Sequence, residues 1–206
     1  MAPEISVDRV PGTPDHEPMT AHHLDLTGID LTTEVLRTER LVLRPHRPDD
    51  EDAVLRACQD PGIQRWLATL PVPYTRDDAR EFVAGVAPAE RAEGRGMPTV
   101  IEVDGELVGS SGVHLRGSRL GPEIGYWIAP WARGRGYAAE AARALAEWAL
   151  GLGAPRVHLF ADVDNTASQA VAERAGFSRE GVVRRCLDQR DGSWTDAVLF
   201  GRLPGD

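Results

Sequence analysis

A strand pattern, a loop with two glycines and a long helical pattern follow one another between residues 123 and 150, and this succession constrains the fold more than any other feature. The strand is EIGYWIA, the loop PWARGRG and the helix YAAEAARALAEWAL. Glycine in or beside a helix costs roughly 1 kcal/mol relative to alanine, so Gly134 and Gly136 should bring a compensating benefit. Free N–H groups and the positive end of the helix dipole bind anions at a helix start. The pattern therefore predicts a phosphate site, to which Arg133 and Arg135 can add charge.

Two alternatives for this loop stay open on the sequence alone. One is a helix that merely begins with glycines and solvated arginines. The other is a dinucleotide-binding turn, because Gly134, Gly136 and Ala139 satisfy the spacing G-x-G-x-x-G/A and Asp162 ends the next predicted strand. The segment PWAR between the strand and the first glycine opposes this second alternative, as do the several elements that precede it in the chain.

The charge balance restricts the classes of partner and of chemistry. The formal net charge is -9, and all 23 basic residues are arginine because the sequence contains no lysine. The acidic balance argues against nucleic acid as the main partner. The absence of lysine excludes a lysine Schiff base and the phosphate-binding loop that depends on a lysine. Cys58 and Cys186 lie in no motif and are interpreted as buried structural thiols.

The ends and the apolar runs of the sequence bear on location. No apolar run approaches the roughly 18 residues that span a bilayer, and the N-terminus lacks the pattern of a secretory signal. We therefore expect a cytoplasmic protein without a membrane partner. Residues 1–37 contain scattered prolines and no apolar period, which predicts a flexible extension. Its histidines, His16, His22 and His23, have no fixed geometry, so no metal site is predicted.

Residues 38–206 alternate between strand and helix patterns and form the predicted domain. Strands are predicted in TERLVLRP, in a hairpin over TVIEVDGELVGSSGVHL and in a final pair around Asp191 and Gly192. Helices are predicted in DDEDAVLRACQDPGIQRWL and in TRDDAREFVAGVAPAERAEG, where Thr75 and Asp78 form a capping box. This order indicates one mixed α+β domain.

Four segments of this domain resemble the GCN5-related N-acetyltransferases, the GNAT superfamily, and within it the RimJ/RimL-like branch. They are, in chain order, TERLVLRP, EIGYWIAPWARGRGYAAEA, DVDNTASQAVAERAGFSREG and the final strand. The resemblance implies an α+β fold with a mixed, mostly antiparallel sheet of six to seven strands, splayed at a central wedge and flanked by about four helices. It also implies an N-acyltransferase that moves an acetyl or related acyl group from acyl-coenzyme A, in a ternary complex. The acceptor would be a primary amine of a protein N-terminus or a small molecule, and the enzyme a monomer or homodimer.

The resemblance assigns coenzyme binding to two parts of the chain. Strand backbone at Trp127, Ile128 and Ala129 would bind the pantetheine arm, splayed from the next strand near residues 157–161, and Asn165 would hydrogen-bond the same arm. The pyrophosphate would lie on the loop and helix start, at Arg133, Gly134, Arg135, Gly136, Tyr137 and Ala138. Asn165 can also act simply as a helix cap, and the two roles are compatible.

Acyl transfer requires a neutral amine, stabilisation of a developing oxyanion and release of the thiolate. Glu123 is the candidate base, because two-residue alternation places it on the face of Trp127; its alternative is a solvated strand-end carboxylate. A backbone N–H near Ile128 could serve the oxyanion. Many relatives carry a tyrosine acid where this sequence has Ala172. The resemblance offers Ser168 instead, because Asn165 and Ser168 match the N-x-x-S pattern of the RimL-like branch; helix capping is the alternative role of Ser168.

The acceptor site is predicted on two variable loops. Trp66 and Tyr74 come from an interhelical loop, and Asp191 and Trp194, with Asp188 nearby, from the last hairpin; acids could attract a cationic amine and aromatic rings could flank it. Neutralising a lysine side chain at pH 7 costs on the order of 4.6 kcal/mol and an α-amine about 1 kcal/mol, which favours an α-amine. Two alternatives to this enzyme remain. They are a catalytically silent acyl-coenzyme A binder, prompted by the missing tyrosine, and an NAD-dependent oxidoreductase.

Overall fold

The strands of this chain build one mixed sheet. A computed structural model describes residues 24–115 and 120–206. The strands in these ranges are β1 Leu36–Arg37, β2 Val42–Arg44, β3 Thr99–Val103, β4 Glu106–His114, β5 Glu123–Ile128, β6 Val157–Asp162, β7 Ser178–Asp188 and β8 Trp194–Arg202. Their order across the sheet is β1-β2-β3-β4-β5-β6-β8-β7, and among these described strands only β5 and β6 are parallel neighbours. The α+β class and the mostly antiparallel sheet are thereby confirmed.

The sheet has 8 strands where six to seven were expected. The difference comes from β1, which pairs with β2 through Leu36↔Leu43 and Arg37↔Val42. A strand of two residues is too short to show a two-residue alternation, so no sequence pattern reveals it. It lies within the predicted extension.

Helices cover both faces of the sheet. They are α1 Glu51–Cys58, α2 Pro61–Trp66, α3 Arg76–Glu81, α4 Ala87–Ala92, α5 Tyr137–Gly151 and α6 Thr166–Arg174. A π-helical turn, Phe82–Val86, joins α3 to α4, so these two form one continuous helix. At its start the Thr75 hydroxyl accepts from the Asp78 N–H while the Asp78 carboxylate accepts from the Thr75 N–H. The predicted capping box is confirmed.

The parallel strands β5 and β6 separate almost as soon as they pair. Their register contains only the pair Glu123↔His158, and the His158 N–H donates to the Pro122 carbonyl at 3.0 Å. Beyond that point β6 pairs with β8 along its length, while β5 continues beside β4. The two strands therefore open into the predicted wedge, whose closed end lies at Glu123.

The core is divided between the two faces of the sheet. On one face the alanines of α5 and its Leu145 pack with Ile124 of β5. Small side chains let a helix approach a sheet closely, so α5 lies tight behind the wedge. On the other face Val54 of α1 and Val83 of the π-helical turn pack with Val100 of β3. Each face has its own hydrophobic cluster, with the sheet between them.

The described part of the predicted extension, residues 24–37, packs against the domain. Leu31 is only 5% exposed and belongs to the main hydrophobic cluster. The buried Arg91 guanidinium donates to the carbonyls of Leu31, Glu34 and Pro98, which ties this segment to α4. Ordered packing thus starts before residue 38. The three histidines considered as metal ligands lie outside the described residues.

Neither a membrane-spanning helix nor a cluster of metal ligands occurs in residues 24–115 and 120–206. No helix there is long and apolar enough to cross a membrane. No group of three or more histidine, cysteine, aspartate or glutamate side chains there is arranged to hold a metal ion. Cys58 is buried and Cys186 half-buried, and both are free thiols. Burial raises the pKa of Cys58 to about 12, which fits a structural thiol rather than a nucleophile.

Candidate active site

The loop before α5 is shaped by two glycines with positive φ. Gly134 has φ +78° and Gly136 φ +82°, a region that favours glycine over residues with a side chain. Gly136 is the N-cap of α5, so the first N–H groups of this helix receive no side-chain cap. A Cβ added at Gly134 would meet no atom within 4 Å. The start of α5 is therefore open to an anion.

The two arginines of this loop are placed differently. The Arg133 guanidinium forms an ion pair with Asp60 and donates to the Ile128 carbonyl at 3.3 Å. Its hydrogen bond to Asp60 is the main cause that lowers the pKa of that carboxyl. The Arg135 side chain is exposed, with no ion pair to any residue that the structure describes. Arg133 thus fixes the loop to the start of α2, and Arg135 is the arginine whose charge is available to a ligand.

A third arginine, Arg40, which the sequence did not single out, holds the same loop through hydrogen bonds to its backbone and to α5. Arg40 donates to the Arg135 carbonyl at 3.0 Å and to the Glu140 carboxylate at 2.7 Å. Glu140 also accepts from the Thr38 hydroxyl at 2.5 Å, and the Arg40 guanidinium lies 5.1 Å from the centre of the Tyr137 ring. The T-x-R of TERLVLRP, noted only as a strand and as part of the resemblance, is the signal that marks it.

A cleft of about 620 Å³ lies between this loop, α2, β5 and α6, and we call it the loop cleft. Its lining includes these predicted coenzyme-binding residues: Trp127, Ile128, Arg133, Gly134, Arg135, Gly136, Tyr137, Ala138 and Asn165. Ser168, the candidate acid, lines it too, and so does Trp66, which was predicted for the acceptor site but does not line the second cleft described below. Ala129 does not line the loop cleft, because it is fully buried and its N–H donates to the Val108 carbonyl of β4 at 2.9 Å. The structure thus brings most of the predicted coenzyme-binding residues to one cavity.

The wedge exposes strand backbone toward the loop cleft. N–H groups of successive strand residues point to opposite edges, and that of Ala129 points to β4. The N–H groups of Tyr126 and Ile128 therefore point toward β6, where pairing has already ended at Glu123. These are the backbone donors that the wedge makes available.

A tyrosine and a serine meet inside the loop cleft. The Tyr126 hydroxyl lies 3.0 Å from Ser168 Oγ and donates to the Ser168 carbonyl at 3.2 Å. Burial raises the pKa of Tyr126 to about 12, against a lowering by the hydrogen bond with Ser168. Asn165 Oδ1 accepts from the Ser168 N–H at 3.0 Å, which confirms helix capping, and Asn165 also lines the cleft. Ala172 is fully buried.

A second cleft, of about 560 Å³, lies on the other side of β5, against the α3 to α4 helix. Three carboxylates line it, those of Asp78, Glu81 and Glu90, and we call it the acidic cleft. Its remaining lining is largely apolar and includes the predicted Tyr74, which is 6% exposed. Burial is the main cause that raises the pKa of Tyr74, so its hydroxyl stays protonated.

The two clefts share part of their lining. Leu67, Tyr126 and Trp127 border both. Tyr126 and Trp127 belong to the part of β5 that no longer pairs with β6, and Leu67 is the C-cap residue of α2. The two cavities therefore adjoin at the open part of the wedge. A molecule in each cleft would meet its neighbour there.

Glu123, the predicted base, lies away from this junction. It stands at the closed end of the wedge, with its side chain 42% exposed and one carboxylate oxygen 3.6 Å from Nε2 of the buried His158. It lines neither cleft. Its role as base stays a prediction.

Asp191 and Trp194 also line neither cleft. They lie at the turn between β7 and β8, where Asp191 accepts from the Ser193 N–H at 2.9 Å and Trp194 is 54% exposed. The nearby Arg190, which sequence reasoning missed, does reach the site. It donates to the carbonyls of Gln64, Leu67 and Leu70 at 3.2, 3.2 and 2.8 Å, and so holds the loop that borders both clefts.

The dinucleotide alternative is wrong. A dinucleotide-binding domain needs a doubly wound parallel sheet, whereas β5 and β6 are the only parallel neighbours among the described strands. Asp162, the residue that would bind a ribose, is 8% exposed. Its carboxylate accepts from the Thr195 hydroxyl at 2.6 Å and from the Asp164 N–H at 2.9 Å.

Comparisons with known proteins agree with this geometry. A family model described as an acetyltransferase (GNAT) domain matches residues 40–178. YdaF of Bacillus subtilis (strain 168), provisionally named a ribosomal N-acetyltransferase, is 33% identical over 169 residues, which cover 80% of this chain and 92% of YdaF. Mycobacterium smegmatis RimJ, solved in complex with CoA-disulfide, is 29% identical with a TM-score of 0.70 over 80% of this chain and 82% of RimJ. RimL, a ribosomal L7/L12 alpha-N-protein acetyltransferase solved with coenzyme A, shares the fold at 23% identity and a TM-score of 0.70, over 82% of this chain and 98% of RimL.

The matched region contains the wedge, the glycine loop and most of both clefts. The glycine loop and the splayed parallel pair β5 and β6 both lie within the residues that the family model matches. The chain belongs to the GNAT family of N-acetyltransferases, with RimJ and RimL among its structural neighbours.

Proposed function

We propose that this chain transfers the acetyl group of acetyl-coenzyme A directly to the α-amine of a protein N-terminus. The observation that carries the proposal is the junction of the two clefts at Tyr126 and Trp127. Direct transfer needs both substrates bound at once with their reacting atoms in contact, and a shared border supplies this proximity. The naming of YdaF as a ribosomal N-acetyltransferase supports a protein N-terminus as acceptor.

The loop cleft holds the donor in this proposal. The open N–H groups at the start of α5, with Gly134 and Gly136 leaving room for close approach, bind the pyrophosphate, and Arg135 adds charge. The backbone of Tyr126 and Ile128 and the Asn165 amide bind the pantetheine arm. Acetyl-coenzyme A supplies the acyl group in activated thioester form. The Ile128 N–H faces the wedge and stabilises the negative charge that develops on the carbonyl oxygen.

Tyr126 stabilises the departing thiolate by a hydrogen bond and keeps its own proton. Burial holds the pKa of its hydroxyl at about 12, whereas a free thiol has a pKa of about 8.5. Proton transfer from Tyr126 to the thiolate is therefore uphill. In the free chain this O–H donates to the Ser168 carbonyl, so it exchanges that acceptor for the sulfur as the thiolate forms, while the Ser168 hydroxyl donates to the phenol oxygen.

The acidic cleft takes the acceptor. Its three carboxylates attract an ammonium group, and its apolar lining accommodates the first side chain of a peptide. An α-amine near pKa 7.8 is mostly protonated at pH 7, but neutralising it costs only about 1 kcal/mol. The positive charge of a peptide N-terminus thus complements the carboxylates of the cleft, and a base has to supply little free energy to deprotonate it.

A catalytically silent coenzyme A binder is the second candidate, favoured by one observation. The position of the tyrosine acid in many relatives is Ala172, which is fully buried and carries no proton to donate. Tyr126 and Ser168 would then serve only to shape the loop cleft.

Calorimetric titration with acetyl-coenzyme A and a thiol-release assay separate these functions. Three acceptors are used: a pool of lysine-free peptides with free N-termini and varied first residues, the same pool Nα-acetylated with one lysine added, and tyramine. Binding with thiol release from the first pool alone supports the proposal. Release with tyramine alone replaces it by a small-molecule acceptor, and binding without any release supports the silent binder. A chain that does not bind acetyl-coenzyme A contradicts both functions.

A further inference from the structure

We propose that His114 is the base that takes the proton of the acceptor amine, and that Glu90 holds its ring for this task. The inference rests on the proposed function, since a base is required only if an amine is acetylated in the acidic cleft. Both residues line that cleft. The sequence pointed instead to Glu123, which lines neither cavity.

The ring of His114 is held in one orientation. His114 is the last residue of β4, its side chain is 57% exposed, and its Nδ1 lies 2.8 Å from Glu90 Oε1. A carboxylate only accepts hydrogen bonds, so Nδ1 carries the proton and Nε2 keeps its lone pair. Nε2 has no hydrogen-bond partner among the described residues. The geometry is that of a base oriented by a third group.

The main chain fixes both partners of this pair. The Glu90 carbonyl accepts from the N–H groups of Arg95 and Gly96 at 3.0 and 3.3 Å. Gly96 in turn forms an isolated bridge with His114. A Cβ at Gly96 would collide with the Glu90 carboxylate, so glycine at this position leaves the space in which the pair forms. Position 96 thus accommodates the Glu90 carboxylate and links α4 to β4.

The floor next to His114 carries no side chains. Gly112 and Gly125 are cross-strand partners, between the pair His114↔Glu123 and the pair Ser110↔Trp127. A Cβ at Gly125 would meet no atom within 4 Å, so the space above it is empty. Gly125 is two residues from the level of His114, about 7 Å along the strand. An imidazole with one hydrogen bond, or with one bridging water, spans this distance to an amine above Gly125.

The charges around His114 favour its role. Glu90 faces it from α4 and Glu123 from β5, with Arg95 near Glu90 and Cys186 of β7 near Glu123. The hydrogen bond that the Glu90 carboxylate accepts from His114 is the main cause that raises the pKa of His114, while burial acts in the opposite direction. The raised pKa of the imidazole is closer to the pKa of the amine, and this makes His114 a stronger base.

With His114 as the base, every proton that the acceptor nitrogen loses has a defined destination. His114 Nε2 takes one proton from the ammonium group and leaves a neutral amine. The amine nitrogen then forms its bond to the acetyl carbon while the carbon–sulfur bond breaks, and the electron pair of that bond goes to sulfur. The nitrogen loses its second proton to the sulfur, which leaves as the thiol, and His114 returns its proton to solvent. The products are the acetylated amine, coenzyme A and one proton.

His114→Gln is the direct test, measured with whichever of the three acceptors the wild type acetylates. With the α-amine acceptor we expect kcat to fall by roughly five- to tenfold at pH 7, because neutralising an amine near pKa 7.8 without a base costs about 1 kcal/mol. The Kd for acetyl-coenzyme A should not change, and the loss should shrink as pH rises and the amine deprotonates unaided. A loss below about threefold, or one that does not depend on pH, overturns the inference.

Glu90→Gln tests the pair without removing the base. Loss of the carboxylate removes the main cause of the raised pKa, so His114 stays unprotonated to a lower pH. The acidic limb of the kcat/KM profile should therefore move to lower pH, and so should the imidazole titration of His114 followed by NMR. Glu93→Gln is the matched control, since Glu93 is exposed on the adjacent turn and pairs with Arg95; it should leave both curves in place.

The outcomes separate this inference from the proposed function. If the wild type acetylates an amine and His114→Gln retains its rate while folded, only the inference fails. If the NMR titration of His114 does not respond to Glu90→Gln, the positioning role of Glu90 fails. If the wild type acetylates none of the three acceptors, the proposed function fails and the inference falls with it.

Discussion

The loop cleft and the acidic cleft share Leu67, Tyr126 and Trp127 but differ in the groups that the rest of their lining presents. The loop cleft presents main-chain N–H groups from one short contiguous segment, opened by two glycines with positive φ. The acidic cleft presents side chains from α1, α3, α4, β4 and β5. A site made of backbone tolerates many changes of side chain, whereas a site made of converging side chains changes with each of them. The difference explains how related enzymes can share a donor and differ in acceptor.

Gly136→Val should break the loop cleft and leave the acidic cleft intact. Its side chain would crowd the anion site, and loss of two charge-assisted hydrogen bonds at about 1.5 to 3 kcal/mol each weakens coenzyme binding on the order of 100-fold or more. Valine is strained at φ +82°, so the melting temperature should fall as well. Gly105→Val is the control, because Gly105 has φ +84°, open space and a place in the β3–β4 turn. Equal losses of acetyl-coenzyme A affinity in the two variants would remove the anion site from this loop.

Gly125→Val should disrupt the acidic cleft and leave the loop cleft intact. Its Cβ would enter the empty space above the floor of the acidic cleft, where the acceptor amine is proposed to lie. We expect kcat/KM for the acceptor to fall by about tenfold or more, the cost of roughly 1.4 kcal/mol of lost binding, with the Kd for acetyl-coenzyme A unchanged. Steady-state kinetics with varied acceptor and calorimetry with the donor measure the two effects. A variant that loses donor affinity instead would place the amine elsewhere.

Arg40→Ala should loosen the glycine loop and so weaken the binding of acetyl-coenzyme A in the loop cleft. Arg40 holds the Arg135 carbonyl and Glu140, and loss of one charge-assisted hydrogen bond costs about 1.5 to 3 kcal/mol, part of which appears as loop disorder. We expect a decrease in acetyl-coenzyme A affinity of about tenfold, measured by calorimetry. Arg37→Ala is the control, because Arg37 is exposed in the same segment without an ion pair in the described residues. An unchanged affinity for Arg40→Ala would limit this arginine to fold stability.

Glu123→Gln should have the smallest effect if His114 is the base. Glu123 lies at the closed end of the wedge and lines neither cleft. We expect kcat to change by less than about threefold, with the acidic limb of the pH profile shifted slightly to lower pH, because Glu123 contributes to the raised pKa of His114. Turnover of the same acceptors at several pH values measures it. A loss of roughly fivefold or more that shrinks with rising pH would return the role of base to Glu123.

The loop cleft could be predicted from the sequence because its determinants are local. A strand, a glycine loop and a helix are contiguous between residues 123 and 150, and their chemistry follows from main-chain geometry. The local pattern around Asn165 predicted helix capping, which the structure shows. The site roles of Asn165 and Ser168 came from the resemblance to the GNAT superfamily and stay predictions, although both residues line the loop cleft.

The acidic cleft could not be predicted in this way. The pair Glu90 and His114 is separated by 24 positions and forms only because Gly96 links α4 to β4. Tyr126 was hidden within a strand, since its contact with Ser168 depends on how far β5 and β6 have diverged. Asp191 and Trp194 were chosen as loop residues, yet it is Arg190 beside them that reaches the site. Such contacts depend on register and distance between elements, which periodicity does not encode.

The single residue pair that joins β5 to β6 has a mechanical consequence. The sheet transmits order from strand to strand through its ladder, and here the ladder is almost interrupted between the first five strands and the last three. A donor whose pantetheine arm bonded to the free edge of β5 would act as a missing strand and restore part of that continuity. Because a ligand that binds the folded state also stabilises it, the donor would make the molecule stiffer as well as reactive. The acceptor would then bind to a sheet whose two halves are already joined by the donor.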